Sequence, residues 1–174
     1  MSGRLRIVRS EAGFTLPEML MAIAVMGIII VPLTNAMVVG LRTSGRTASV
    51  LVASADRQML TNYLPPDALS ASAATTDAAA SGCLAPGGTR ILLLTWSEYT
   101  GTVTSYASDY RLVAGGAGTK LVRDRCVAGA VAEEVTVAHD AAAATASVVG
   151  GTVAVTVTDS LGAQYTVSGS RRVG

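Results

Sequence analysis

Gly13-Phe14-Thr15-Leu16-Pro17-Glu18 leads into a run that carries no charge from Met19 to Leu41. At about 1.5 Å per residue a helix of that length reaches about 34 Å, enough for a bilayer hydrocarbon core of about 30 Å. Its polar exceptions, Thr34 and Asn35, fall toward the far end. Glu18 stands at the mouth of the run. An ionised carboxylate inside a bilayer costs roughly 2.5–3.5 kcal/mol, so it needs either a partner or a position from which it reaches water among the headgroups. The run reads as a membrane segment with one acid at its start.

Working outward, residues 1–13 carry Arg4, Arg6 and Arg9 against Glu11. Positive residues just before an apolar span hold that end in the cytoplasm and send the C-terminal part outward. A secretory signal peptide has an apolar region of about 7–15 residues, shorter than this one, and Thr34-Asn35-Ala36 is a poor cleavage site. Against an uncleaved signal anchor stands only the Gly13-Phe14 junction.

The hexapeptide resembles the processing site of type IV prepilins and pseudopilins, with a short basic leader before it and a long apolar helix after it. The resemblance covers about the first quarter of the chain. It implies that a prepilin peptidase cuts between Gly13 and Phe14 and methylates the new N-terminal Phe14. It also implies that Glu18 is the assembly acid; the cost of a buried carboxylate makes the freshly cut Phe14 amine of a neighbouring subunit its natural partner. The partners implied are other pilins or pseudopilins through the N-terminal helix, an inner-membrane assembly platform and membrane lipid. The region around Trp96, Tyr110-Arg111-Leu112 and Leu121-Val122-Arg123…Cys126 loosely resembles minor pilins and J-type minor pseudopilins. The machine implied is a type IV pilus, a competence system or a type II secretion filament.

The domain reading is a leader over 1–13, a transmembrane and assembly helix over 14–41 and an amphipathic extension over 42–66. A low-complexity connector over 67–88 and an antiparallel β domain over 89–174 complete it. Pro17 is tolerable in the first turn of a helix, Pro32 should bend or loosen it, and Gly45 is a second soft point. Val52, Ala55, Met59 and Tyr63 form an apolar stripe with Leu51 and Leu60 alongside, and Pro65-Pro66 should end the helix. Asp67 to Leu69 would prolong the helix by a turn after the prolines.

Strands are expected over 90–96, 102–106, 109–114, 120–127, 152–158 and 164–168, with 130–137 as one more and 140–151 as a second weak connector. Gly115-Gly116-Ala117-Gly118 and Asp159-Ser160-Leu161-Gly162 supply turns. A helix laid across an antiparallel sheet is an α+β fold.

The 174 residues allow one domain plus an anchor. Aromatic residues make up only 4%, so any core must be built from Val, Leu and Ala. A net charge of +1 gives no electrostatic case for nucleic acid. Cys83 and Cys126 would lie outside the cytoplasm, where thiols oxidise. They are a candidate disulfide, worth roughly 4 kcal/mol of loop-closure entropy, with two free buried thiols as the alternative.

His139, the one histidine, reads as a solvated loop residue, and two cysteines with one histidine leave little for a metal cluster. No cofactor, metal or catalytic residue is expected, because the chain shows neither G-x-S-x-G nor metal-ligand spacing. Arg123-Asp124-Arg125 reads as the exposed end of a strand, with a binding patch as the alternative. Gly115 to Gly118 is too short for a phosphate loop.

Two functions follow. One is a structural filament subunit. The other is a membrane-anchored extracytoplasmic binding domain that does not polymerise.

Overall fold

A computed structural model describes residues 15–116 and 118–172, and gives the backbone alone at 42 and 44–49. The leader residues, with Gly13 and Phe14, lie outside the described residues. The chain divides into two units, Met1–Thr47 and Ala48–Gly174.

Helix α1 runs over Leu16–Ser70. Thr15 begins it: its carbonyl accepts from the Glu18 N–H at 3.0 Å and the Met19 N–H at 3.2 Å. Pro17 falls in the first turn, where no intrahelical N–H bond is lost. Glu18 falls there too, where the positive end of the helix dipole favours an acid. Pro32 and Gly45 lie inside continuous helix and end nothing.

Pro65-Pro66 does not end α1 either, which corrects the expectation from sequence. Proline in a helix interior costs about 3 kcal/mol, partly through lost hydrogen bonds to the carbonyls four residues back. Those carbonyls belong to Thr61 and Asn62 on the exposed side, where water can take them. Leu64, Asp67 and Ala68 on the other side are buried, so packing holds the last turn in place. The Ala71 N–H closes it, bonding to Asp67 O and Ala68 O at 3.1 Å each.

The buried stripe is rotated by one residue from the one expected. Val52 and Ala55 are exposed, and Met59 and Tyr63 are half-buried at its margin. Its centre is Asp56, Leu60, Leu64, Asp67 and Ala68. Two of those five are acids, which a reading by hydrophobicity places outside.

Beyond α1 the described residues form eight strands in two antiparallel sheets. The first has the order β1-β2-β3-β4-β5: β1 Ala73–Thr75, β2 Thr89–Tyr99, β3 Val103–Gly115, β4 Gly118–Val127 and β5 Ala130–Ala138. The second is β6 Ala143–Val149, β7 Thr152–Thr158 and β8 Gln164–Ser170. The fold is α+β as expected. Three details differ.

The strand β1, pairing Ala73–Thr75 with Thr95–Leu93, lies inside the stretch read as connector. The two strands expected over 102–106 and 109–114 are one, because Ala107 and Ser108 between them are buried within it. Residues 143–149 are a strand, not a connector. There Ala144, Ala146 and Val148 alternate toward the core, and the strand pairs residue for residue with β7.

The two sheets and the end of α1 share one core. Leu60, Leu64 and Ala68 of the helix pack with Leu92, Leu94, Tyr110, Leu121 and Val137 of the first sheet and Val153, Val155 and Val157 of the second. At the β7–β8 turn the Asp159 carboxylate accepts from the N–H groups of Leu161 and Ala163 at 2.9 and 2.8 Å. Gly162 takes the positive φ of 83° that this turn requires.

Candidate functional site: an apolar helix and a charge-paired sheet domain

Leu16–Leu41 is a 26-residue stretch long and apolar enough to cross a membrane. Its large side chains are exposed, Ile28 by 74% and Met21 by 74%. Within it the sequence carries one acid, Glu18, exposed in the first turn. Surface of that kind in water is destabilising by about 25 cal/mol per Å², and an exposed apolar patch of this size marks a membrane or protein interaction surface.

Residues 8–34 match a family model described as the prokaryotic N-terminal methylation motif. The chain carries a prepilin-type N-terminus. That is consistent with a type IV pilin or pseudopilin, and with the cleavage and methylation motif read at Gly13 and Phe14. Together with the apolar helix it points to membrane anchoring. Comparison with curated proteins and with solved structures gave no match.

In the second unit the main departure from sequence expectation concerns charge. Arg123 and Asp124, read as an exposed strand end, are buried. The register explains it: Tyr110 sits opposite Arg123, and Asp109 opposite Asp124, so alternate residues of β3 and β4 face opposite sides of the sheet.

On the α1 side, the Arg123 guanidinium grips Asp67 with two bonds, Nε to Oδ2 at 2.6 Å and Nη2 to Oδ1 at 2.7 Å. It lies 4.9 Å over the Tyr63 ring. The Tyr110 hydroxyl donates to the same Asp67 carboxylate at 2.8 Å. Burial pulls the Arg123 guanidinium toward neutrality, and the Asp67 pair more than offsets it, leaving its pKa raised. Burial, followed by the Asp67 charge, pushes the Tyr110 hydroxyl well above its ordinary range.

On the opposite side, Arg90 pairs with Asp109 through Nε at 2.8 Å and Nη2 at 2.7 Å. Arg111 pairs with Asp124 through Nε at 2.6 Å. Burial raises the Asp124 carboxyl, and Arg111 opposes that shift. Arg125, by contrast, is exposed and lies 5.9 Å over the Tyr106 ring, itself stacked on Trp96.

Cys83 and Cys126 are joined in a disulfide, with Cα atoms 5.6 Å apart. His139 is exposed, as expected for a loop histidine, but it is not free. Its Nδ1 lies 2.9 Å from Asp56 Oδ1, while the N–H groups of His139 and Asp140 donate to Asp56 Oδ2 at 2.8 and 3.3 Å. Asp56 thus ties α1 to the end of β5, and His139 takes part in that tie. Gly115–Gly118 closes the β3–β4 hairpin. Among the described residues no group of three or more His, Cys, Asp or Glu is placed to hold a metal ion.

Proposed function

We propose that the chain is a pilin-like structural subunit of a type IV pilus, competence or type II secretion filament. A prepilin peptidase cuts between Gly13 and Phe14, and the mature chain starts at methylated Phe14. The subunit waits in the membrane with the leader in the cytoplasm and the β domain outside. At the inner-membrane assembly platform the apolar helix then exchanges lipid for the helices of other pilins. The supporting observation is the methylation motif over residues 8–34 running directly into an exposed apolar helix with one acid.

The physics of that exchange is specific. Lipid tails are as apolar as leucine, so helices leave lipid for each other through close packing and polar pairing. Ala36 and Gly40, four apart on α1, give a small-residue face for close approach, and a Cβ added at Gly40 would meet nothing within 4 Å. Glu18 supplies the polar pairing, its carboxylate meeting the Phe14 amine of a neighbour. The minor-pilin or J-type assignment belongs to the same proposal at finer grain.

The test is the mature N-terminus of protein purified from a host with the peptidase. A start at N-methylated Phe14 is expected. Glu18→Ala should leave that cleavage intact and stop incorporation into filaments. Retention of Met1 or Ser2 would leave a tethered, non-polymerising domain in place of the filament subunit.

A further inference from the structure

Residues 76–88, between β1 and β2, lie against the side of the first sheet that carries Leu93, Ala107 and Cys126, opposite the α1 side. Two arginines of that side hold this strap by its backbone carbonyls. Arg90 donates from Nη1 to Ala80 O and from Nη2 to Cys83 O, the latter at 3.1 Å. Arg111 donates from Nη1 to Pro86 O at 2.6 Å and to Gly87 O. Asp109 accepts from Nε and Nη2 of Arg90, and Asp124 from Nε and Nη2 of Arg111, which fixes both forks in place. The Leu84 N–H adds a bond to Gly129 O at 2.9 Å. Cys83 is therefore bracketed by an arginine bond to its own carbonyl and a ladder-like bond at its neighbour. Neither depends on sulfur. Both cysteines are buried, Cys83 to 5% exposure and Cys126 to 0%.

We propose that Arg90 and Arg111 seat the strap on the sheet without the disulfide, so that the reduced protein already holds the Cys83 thiol over Cys126. The bond then locks a conformation that the arginines impose. In the exchange with a small disulfide such as oxidised glutathione, one cysteine thiolate attacks it and releases one glutathione thiolate. The other cysteine then attacks the mixed disulfide and releases the second, so that the dithiol loses two electrons and two glutathione thiols form. Arg90 and Arg111 are positioning residues in this scheme, because they raise the effective concentration of one thiol at the other. Once closed, the buried bond exchanges slowly with thiols in solution, so the pair is followed until the ratio of its two forms stops changing.

The full chain in detergent micelles tests this in two ways. Hydrogen exchange of the Leu84 amide is compared in the oxidised wild type and after reduction with a phosphine. A slowing that survives reduction to within about threefold is expected, and exchange at the rate of an unstructured peptide after reduction overturns the proposal. The second arm is the equilibrium of the cysteine pair with glutathione in Arg90→Lys and Arg111→Lys. Lysine keeps a charge beside each aspartate but lacks the fork that reaches the strap carbonyls. The effective thiol concentration should fall about tenfold or more in each variant, and an unchanged equilibrium in both overturns the proposal. The wild-type arm decides even if a variant fails to fold.

Discussion

Two stretches of α1 invert each other. From Leu16 to Leu41 the helix exposes nearly everything apolar it has. From Asp56 to Ala68 it buries two carboxylates along with its leucines. In water both choices are costly, and each is explained by what supplies the missing partner. For the first stretch, under the proposed function, that partner is outside the chain, in lipid or in other helices. For the second it is inside the chain, in Arg123, Tyr110 and the backbone at His139, all far away in sequence. On that reading one helix carries an intermolecular surface and an intramolecular one, and the second is expected to set the stability of the β domain.

The sharpest way to break that comparison is to mutate one residue in each stretch and follow unfolding of the β domain by Trp96 fluorescence. Asp67→Ala removes the bidentate partner of a buried guanidinium, and losing one side of a buried pair costs about 3–5 kcal/mol. Ile29→Ala, on the exposed stretch, should move the same transition by no more than about 0.5 kcal/mol. Equal effects from the two would show that the stretches do not divide the work in this way.

The same division explains what the sequence made legible. The apolar run, the hexapeptide and the β7 strand with its Asp159–Gly162 turn are local patterns, readable within a window of residues. Buried charge is not local. Asp67 and Arg123 are 56 residues apart, and Asp56 and His139 are 83 apart, so each reads as surface until its partner is in view. That placed the helix stripe one residue off and put Arg123 and Asp124 outside; the expected break in β3 fell at Ala107-Ser108, both of them buried in the strand.

The prolines at 65 and 66 misled for a related reason, since the packing of Leu64 and Ala68 outweighs a local breaker. The β6 strand was within reach: Ala144, Ala146 and Val148 alternate ahead of the Gly150-Gly151 turn, but small side chains made the signal faint. The structure joins the cysteine pair and shows Glu18 exposed in the first turn of α1, while Gly13 and Phe14 lie outside the described residues.

A smaller loss, with a pH signature, is expected at Tyr110. Tyr110→Phe keeps the ring in the core and removes one hydrogen bond to a charged acceptor, a loss of about 1.5–3 kcal/mol at neutral pH. Because the folded hydroxyl is held above its ordinary pKa of 10.0, the unfolded chain ionises first as the pH rises. The stability this group contributes is complete below that value and drains away above it, by up to about 1.4 kcal/mol per pH unit. Unfolding midpoints measured from pH 9 to 11 should therefore fall less steeply in Tyr110→Phe than in the wild type. Parallel slopes would mean that the hydroxyl is not shielded in the folded state. Tyr165, also raised by burial, keeps some alkaline sensitivity in both proteins.

The smallest expected change sharpens the contrast through glycine. Gly169 of β8 lies where the sheet meets the end of α1, and a Cβ there would sit 2.8 Å from Ala68 Cβ and 2.8 Å from Pro65 Cα. Backbone cannot swing aside as a long side chain can, so Gly169→Ala must push the strand off the helix, an overpacking cost of about 1–3 kcal/mol. At Gly40 a Cβ meets nothing within 4 Å, and alanine is the better helix former by about 0.5–1 kcal/mol. Gly40→Ala should leave the β-domain transition where it is, so any effect it has must appear between subunits, as a change in filament yield at unchanged cleavage. If Gly40→Ala destabilised the β domain and Gly169→Ala did not, the assignment of one surface to assembly and the other to folding would be reversed.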